Sequence, residues 1–166
     1  QWAPGTYDML FERVITEIEG NRITVNEPLF QAFEAEYGSG YIYKITSSRI
    51  QNVGIEFIRG ESIYASDTDE NHAWTFIGFW NVEHGWVRHA VSRYFGFGCV
   101  DVGSTARSIT VEHSSCLDAK SVITGGRRYS FNLAGPLNLV RNCYAREGRH
   151  DFVMAAKVPG PNVFSW

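Results

Sequence analysis

The sequence predicts an all-β fold wound as a parallel β-helix, and three observations carry that prediction. Helical periodicity is scarce, and apolar residues fall instead in short alternating runs broken by Gly, Asn, Ser and Asp. The runs also repeat. Ile55-Glu56-Phe57, Val87-Arg88-His89, Val111-Glu112-His113 and Val140-Arg141-Asn142 recur at spacings of 32, 24 and 29 residues. Each places a β-branched residue, then a charge, then an aromatic, imidazole or amide group. Repeats of about 20 to 30 residues carrying short strands signal a solenoid. Finally, the spaced leucines of a leucine-rich repeat are missing, and the period is too short for a four-stranded propeller blade. What remains is a coil that wraps once per repeat and stacks on its neighbour at the strand spacing of about 4.8 Å.

Taken in order, residues 1–40 are expected to form a β-hairpin and a short helix leading into the solenoid. Residues 11–18 and 22–25 alternate apolar and polar around Glu19-Gly20-Asn21, which reads as a hairpin with a Gly-Asn turn. Residues 29–37 are the best helix candidate, stopped by Gly38. Residues 41–166 are expected to be the coils. Stacking makes Ile55, Val87, Val111 and Val140 one interior ladder. It makes Glu56, Arg88, Glu112 and Arg141 an exterior ladder whose charge alternates at every step. Alternating signs favour that register over a slip, because like charges directly opposite destabilise a sheet. A second series is Thr75-Phe76-Ile77, Cys99-Val100-Asp101, Ser130-Phe131-Asn132 and Asp151-Phe152-Val153.

The chain has 44% hydrophobic and 20% charged residues, the composition of an ordinary globular domain. Its 14% aromatic share suits stacked β interiors or sugar-binding surfaces. A net charge of −3 argues against a nucleic-acid partner, and no apolar run approaches a membrane span. Three cysteines without CxxC spacing make zinc improbable. Buried thiols are expected, or one disulfide, for which Cys116 and Cys143 are the best-placed pair.

Gly125-Gly126-Arg127-Arg128-Tyr129-Ser130-Phe131, Glu147-Gly148-Arg149-His150-Asp151-Phe152 and Pro159-Gly160-Pro161-Asn162-Val163-Phe164 carry a further signal. With Gly54-Ile55-Glu56 and Asp69-Glu70-Asn71-His72-Ala73-Trp74, they resemble a group of large secreted bacterial proteins with the pectin-lyase-like β-helix. The resemblance runs from about Arg13 to Trp166. It implies a right-handed helix of three sheets, a secreted or cell-surface location, and a groove for acidic polysaccharide. It also implies a stretch of a longer helix, truncated at the C-terminus. The rest of the parent chain, or another copy, would then cover Val163-Phe164-Ser165-Trp166. No catalytic motif of the pectate lyases aligns here, so no catalytic residue is transferred from them.

Alternation sorts the remaining candidates by face. With Val100, Phe131 and Phe152 inward, Asp101, Ser130, Asn132 and Asp151 should point outward, with Arg128 and Arg149 sharing their parity. Tyr129 and His150 lie at the same strand entrance. An arginine can clamp a sugar carboxylate, and His150 or Tyr129 could take the proton α to it, as β-elimination requires. Arg128, Arg149, His150, Asp151 and Tyr129 are therefore the catalytic candidates, with Asp101, Ser130 and Asn132 as substrate contacts. The competing reading is a solvated salt-bridge ladder. Hydrolysis would instead need two carboxylates, for which Asp101 and Asp151 are available. Residues 66–72 offer Asp67, Asp69 and Glu70 as oxygen ligands, either a solvated loop or, with a neighbouring coil, a Ca2+ site; the EF-hand pattern is absent. His89 and His113 share a row with Asn142, which reads as a stacked polar ladder in a turn rather than a metal site.

Three functions follow. The first is a lyase or hydrolase acting on uronic-acid-containing glycan. The second is a non-enzymatic carbohydrate-binding scaffold, with Trp80, Trp86 and Tyr94 as stacking platforms. The third is a structural role in which coils continue end to end.

Overall fold

The computed structural model describes residues 8–166, so residues 1–7 of the expected N-terminal unit lie outside it. The chain divides into two compact units, one ending at Ser47 and the other spanning Ser48–Trp166.

In the first unit, β1 (Ile15–Glu19) pairs antiparallel with β2 (Arg22–Val25), closed by Gly20-Asn21 as expected. Gly20 has φ +56, a left-handed conformation that a two-residue hairpin fills with glycine. The predicted helix over residues 29–37 does not form. Only a single 3-10 turn, Ala35–Tyr37, is present, ending at Gly38 in the left-handed region. Nine residues are too few to offset helix nucleation, and no side chain caps the turn's start. Phe33 is instead turned edge-on to Phe11, with ring centres 5.9 Å apart.

The second unit is built of short parallel strands, with no α-helix among the described residues. The chain passes through them repeatedly. The first pass comprises β3 (Ile50–Gln51), β4 (Gly54–Glu56) and β5 (Arg59–Glu61). The second is β6 (Thr75–Phe79), β7 (Val82–Glu83), β8 (Trp86–Arg88) and β9 (Val91–Arg93). The third is β10 (Gly98–Val102), β11 (Thr110–Glu112) and β12 (Ser115–Leu117). The fourth is β13 (Tyr129–Leu133), β14 (Asn138–Arg141) and β15 (Tyr144–Arg146), followed by β16 (His150–Met154) and β17 (Asn162–Ser165). The second, third and fourth passes each add one strand to each of three parallel sheets, ordered β6-β10-β13-β16, β4-β8-β11-β14-β17 and β5-β9-β12-β15. The first pass supplies β4 and β5 to them, while β3 pairs with β7 in a two-stranded sheet.

The register follows the sequence ladders. Ile55, Val87, Val111, Val140 and then Phe164 lie in one row, and Glu56, Arg88, Glu112 and Arg141 in the next. Val87, Val111 and Val140 are buried in the core. The charged row is a chain of ion pairs: Glu56–Arg88 at 3.3 Å, Arg88–Glu112 at 2.6 Å and Glu112–Arg141 at 2.5 Å. One alignment needs correcting. Ile77, not Phe76, pairs with Val100, and that row continues through Phe131 and Phe152. Phe76 falls one position earlier and packs over Gly60, where a side chain would collide with its ring.

The corners explain how such short strands close. Before the second sheet, Asn52, His84, Ser108 and Leu137 have φ between 54 and 63; after it, Phe57, His89, His113 and Asn142 have φ between 50 and 53. After the third sheet, Tyr94, Asp118 and Glu147 have φ between 58 and 69. A left-handed residue bends the chain sharply, and its repetition in register keeps successive corners stacked. Phe57, His89 and His113 accordingly stack face to face, 4.8 and 5.2 Å apart, each pair at 9°. Two rungs of the expected polar ladder, His89 and His113, are stacked, with Phe57 as an added rung. Of the two readings of the cysteines, thiols and not a disulfide are present: all three are free, with Cys99 and Cys116 buried. Cys116 pairs in register with Ala145 rather than Cys143, whose thiol is directed at the Val111 and Arg141 carbonyls.

Candidate functional site

The structure brings together three of the predicted catalytic residues. Tyr129 opens β13 and His150 opens β16, paired in register with ring centres 5.5 Å apart. Arg149 Nη1 donates to the Tyr129 hydroxyl at 3.2 Å, and its guanidinium lies 6.0 Å from the Tyr129 ring centre. The backbone N–H groups of Arg149 and His150 both donate to the Arg128 carbonyl, at 2.8 and 3.2 Å. Arg149 and His150 are exposed and Tyr129 is half-buried, so this edge presents a cation and an imidazole to solvent.

Arg128 and Asp151 do not join them. Arg128 is buried, and its Nε and Nη2 donate to the Ser121 carbonyl at 3.0 and 2.6 Å, with Nη2 also reaching the Asp67 carbonyl. Its φ of 55 places it at a left-handed bend, where strand alternation no longer fixes a side chain's direction. Ser130 is only 1% exposed and donates to Asp151 Oδ1 at 2.8 Å, so it is not the outward substrate contact expected of it. Asn132 is also buried and donates to Asp101 Oδ1 at 2.8 Å. Burial pushes the Asp101 carboxyl above its ordinary range, against the opposing pull of the Asn132 hydrogen bond. Asp101 and Asp151 thus each answer a different neighbour, and the carboxylate pair needed for hydrolysis is not assembled around a shared opening.

Of the two readings of residues 66–72, a Ca2+ site or a solvated loop, the geometry is that of the solvated loop. Asp69 accepts from the N–H groups of Ala65 and Asn71, both at 2.8 Å. Asp67 pairs with Lys120, and Glu70 pairs with Arg127. Backbone donors hold Asp69 below the usual carboxylate range, as Lys120 does for Asp67 and Arg127 for Glu70. With each carboxylate facing its own donor, the three do not converge. No group of three His, Cys, Asp or Glu able to hold a metal occurs among the described residues.

The platforms expected of Trp80 and Trp86 are partly spent on the fold. Trp80 packs over Gly78 and Gly103, although half its surface stays open. Trp86 covers Gly54 and donates from Nε1 to Glu56 at 2.6 Å. Tyr94 is better placed. It lines a cleft of about 490 Å³ together with Tyr64, Asp67, Asp118, Lys120 and Glu147, and with Arg128 in its wall. Lys120 Nζ lies 5.2 Å from the Tyr64 ring centre and 5.9 Å from that of Tyr94. Asp118 is taken by Arg146 at 2.7 Å, with Arg93 at 3.6 Å. Sequence reasoning missed this cleft because Tyr94, Asp118 and Glu147 belong to a corner row, not a strand. The available signal was their shared place one residue past the last residue of β9, β12 and β15. Against family models, curated proteins and solved structures alike, the chain finds no match.

Proposed function

We propose that this chain is part of a right-handed, pectin-lyase-like parallel β-helix that binds acidic polysaccharide outside the cell. The ordered three-sheet stacking supports the helix. The binding reading rests on one observation: Arg149 is exposed, held against Tyr129, and flanked by His150 on the adjoining strand. A guanidinium positioned by an aromatic ring is a ready partner for a sugar carboxylate, and the ring offers a face to the sugar's C–H groups. Binding is preferred to β-elimination or hydrolysis because Arg128 is committed to backbone carbonyls and Asp151 to Ser130. Arg149→Ala should weaken binding of oligogalacturonate by about 1.5–3 kcal/mol, the range for hydrogen bonds to charged groups. Calorimetric titration measures this. The same variant should melt near the wild-type temperature, because Arg149 is exposed and its side-chain hydrogen bond is to a neutral hydroxyl. Unchanged affinity would refute the site.

A second reading, end-to-end assembly, is favoured by a different observation. Phe152, Met154 and Val163, on the outermost strands of two sheets, keep large apolar surfaces exposed. Such edges pair readily with another chain.

A further inference from the structure

Lys120 and Asp67 form an unequal pair. The Lys120 side chain is 18% exposed, whereas that of Asp67 is 79% exposed. The lysine is held from several sides. Its backbone carbonyl accepts from His72 Nε2 at 2.8 Å, and His72 Nδ1 in turn accepts from the buried Ser62 hydroxyl at 2.7 Å. Its ammonium lies over the Tyr64 and Tyr94 rings, which are themselves 5.1 Å apart. The position of this cation is therefore set by the cleft. Asp67, at 2.8 Å, is its one hydrogen-bond acceptor among the described residues, although an ammonium has three donors. The Asp67 backbone is held by Arg128, which donates to its carbonyl, so the carboxylate's bond to Lys120 can break without displacing the loop's backbone anchor.

We infer that Lys120 is a preorganised binding point for a ligand carboxylate, and that the Asp67 side chain is an internal carboxylate which the ligand displaces. The inference rests on the acidic-polysaccharide reading for its ligand class, and it adds a second contact and a built-in competitor. Asp118 does not compete, because Arg146 and Arg93 already neutralise it. Glu147 also lines the cleft. The cleft and the Arg149 edge are tied together by Arg128, whose side chain lines the cleft while its carbonyl holds the Arg149 and His150 amides.

The test is calorimetric titration of the whole chain with oligogalacturonate and with its fully methyl-esterified form. Removing the competitor with Asp67→Asn should tighten oligogalacturonate binding about two- to fivefold, the equivalent of one exposed ion pair. Lys120→Met, which keeps the side chain's bulk over the rings, should weaken it about tenfold or more. Lys120→Arg should retain most of the affinity, and the ester should gain nothing from Asp67→Asn. Thermal melts of each variant confirm that titrations are run on folded protein. Unchanged or weaker binding by folded Asp67→Asn overturns the inference, as does undiminished binding by Lys120→Met. If Arg149→Ala weakens binding while these two variants do not respond as stated, the Lys120 inference falls and the broader reading stands. Wild-type chain that binds no oligogalacturonate removes both.

Discussion

Glu112 is the middle rung of the exterior charge ladder, and its removal should cost more than any other single surface charge. Its side chain is 8% exposed, while those of its partners Arg88 and Arg141 are 45% and 49% exposed. It accepts from Arg88 Nε at 2.6 Å and from Arg141 Nε at 2.7 Å. Hydrogen bonds to charged groups contribute about 1.5–3 kcal/mol each, but half-exposed arginines recover hydration when the acid is lost, which pulls each bond toward about 1 kcal/mol. Glu112→Gln keeps one carbonyl acceptor yet leaves two cations flanking a neutral rung. The expected loss of unfolding free energy is therefore about 1.5–3 kcal/mol at neutral pH. The hydrogen bond from Arg141, outweighing burial and aided by the charge of Arg88, holds the Glu112 carboxyl below its ordinary value. Its contribution is accordingly complete above the unfolded-state value of about 4.3 and disappears as pH falls through the lower folded-state value. Urea denaturation at pH 7 and at about pH 3 should show the wild-type and variant curves converging at acid pH. An equal gap at both pH values would mean that Gln disturbs packing rather than charge, and would refute the ladder's role.

Asp101 should behave in the opposite sense. Burial raises its folded-state value, so the charged form is disfavoured and stability falls as pH rises through the carboxylate range. Asp101→Asn keeps an acceptor for Asn132 and should raise the melting temperature at pH 7 but not at about pH 3; a drop at pH 7 would overturn this. Sedimentation velocity should show concentration-dependent association through the β16 and β17 edge, diminished by Met154→Lys. A monomer that persists at high concentration would remove that reading.

How far the sequence was legible follows from which residues obey strand alternation. The valine row and the charge row could be read directly, because a side chain's direction within a three-residue strand depends only on position, and because the ion pairs leave their alternating signs in the sequence. The β6 alignment slipped by one, since Phe76 and Ile77 are both apolar and pattern alone does not rank them. The helix over residues 29–37 was misread for a related reason, as apolar spacing over so short a segment says nothing about nucleation. Site residues were hardest. Arg128, Tyr94, Asp118 and Glu147 all sit at left-handed corners, where neither a period of 2 nor one of 3.6 applies. The residues there include Tyr, Leu, Phe and Arg, which carry none of the turn signature of Gly, Asn or Asp. Buried hydroxyls such as Ser130 were assigned outward because polarity stood in for exposure, although its partner Asp151 satisfies it.

That same division accounts for where binding chemistry is available. Along the flat of the second sheet, Glu56, Arg88, Glu112 and Arg141 neutralise one another rung by rung, which fixes register but leaves little charge for a ligand. At the corner after the third sheet the rows break: Tyr94, Asp118 and Glu147 follow one another without a repeating sign. The long connections on either side, residues 62–74 and 118–128, supply Tyr64 and Asp67 from one and Lys120 and Arg128 from the other. They meet through the His72–Lys120 and Arg128–Asp67 hydrogen bonds. A cation placed there is held by aromatic rings and one exposed carboxylate instead of by a ladder. Repetition stabilises the sheets by using up their charges, and so the interruption of repetition is what leaves Lys120 and Arg149 exchangeable.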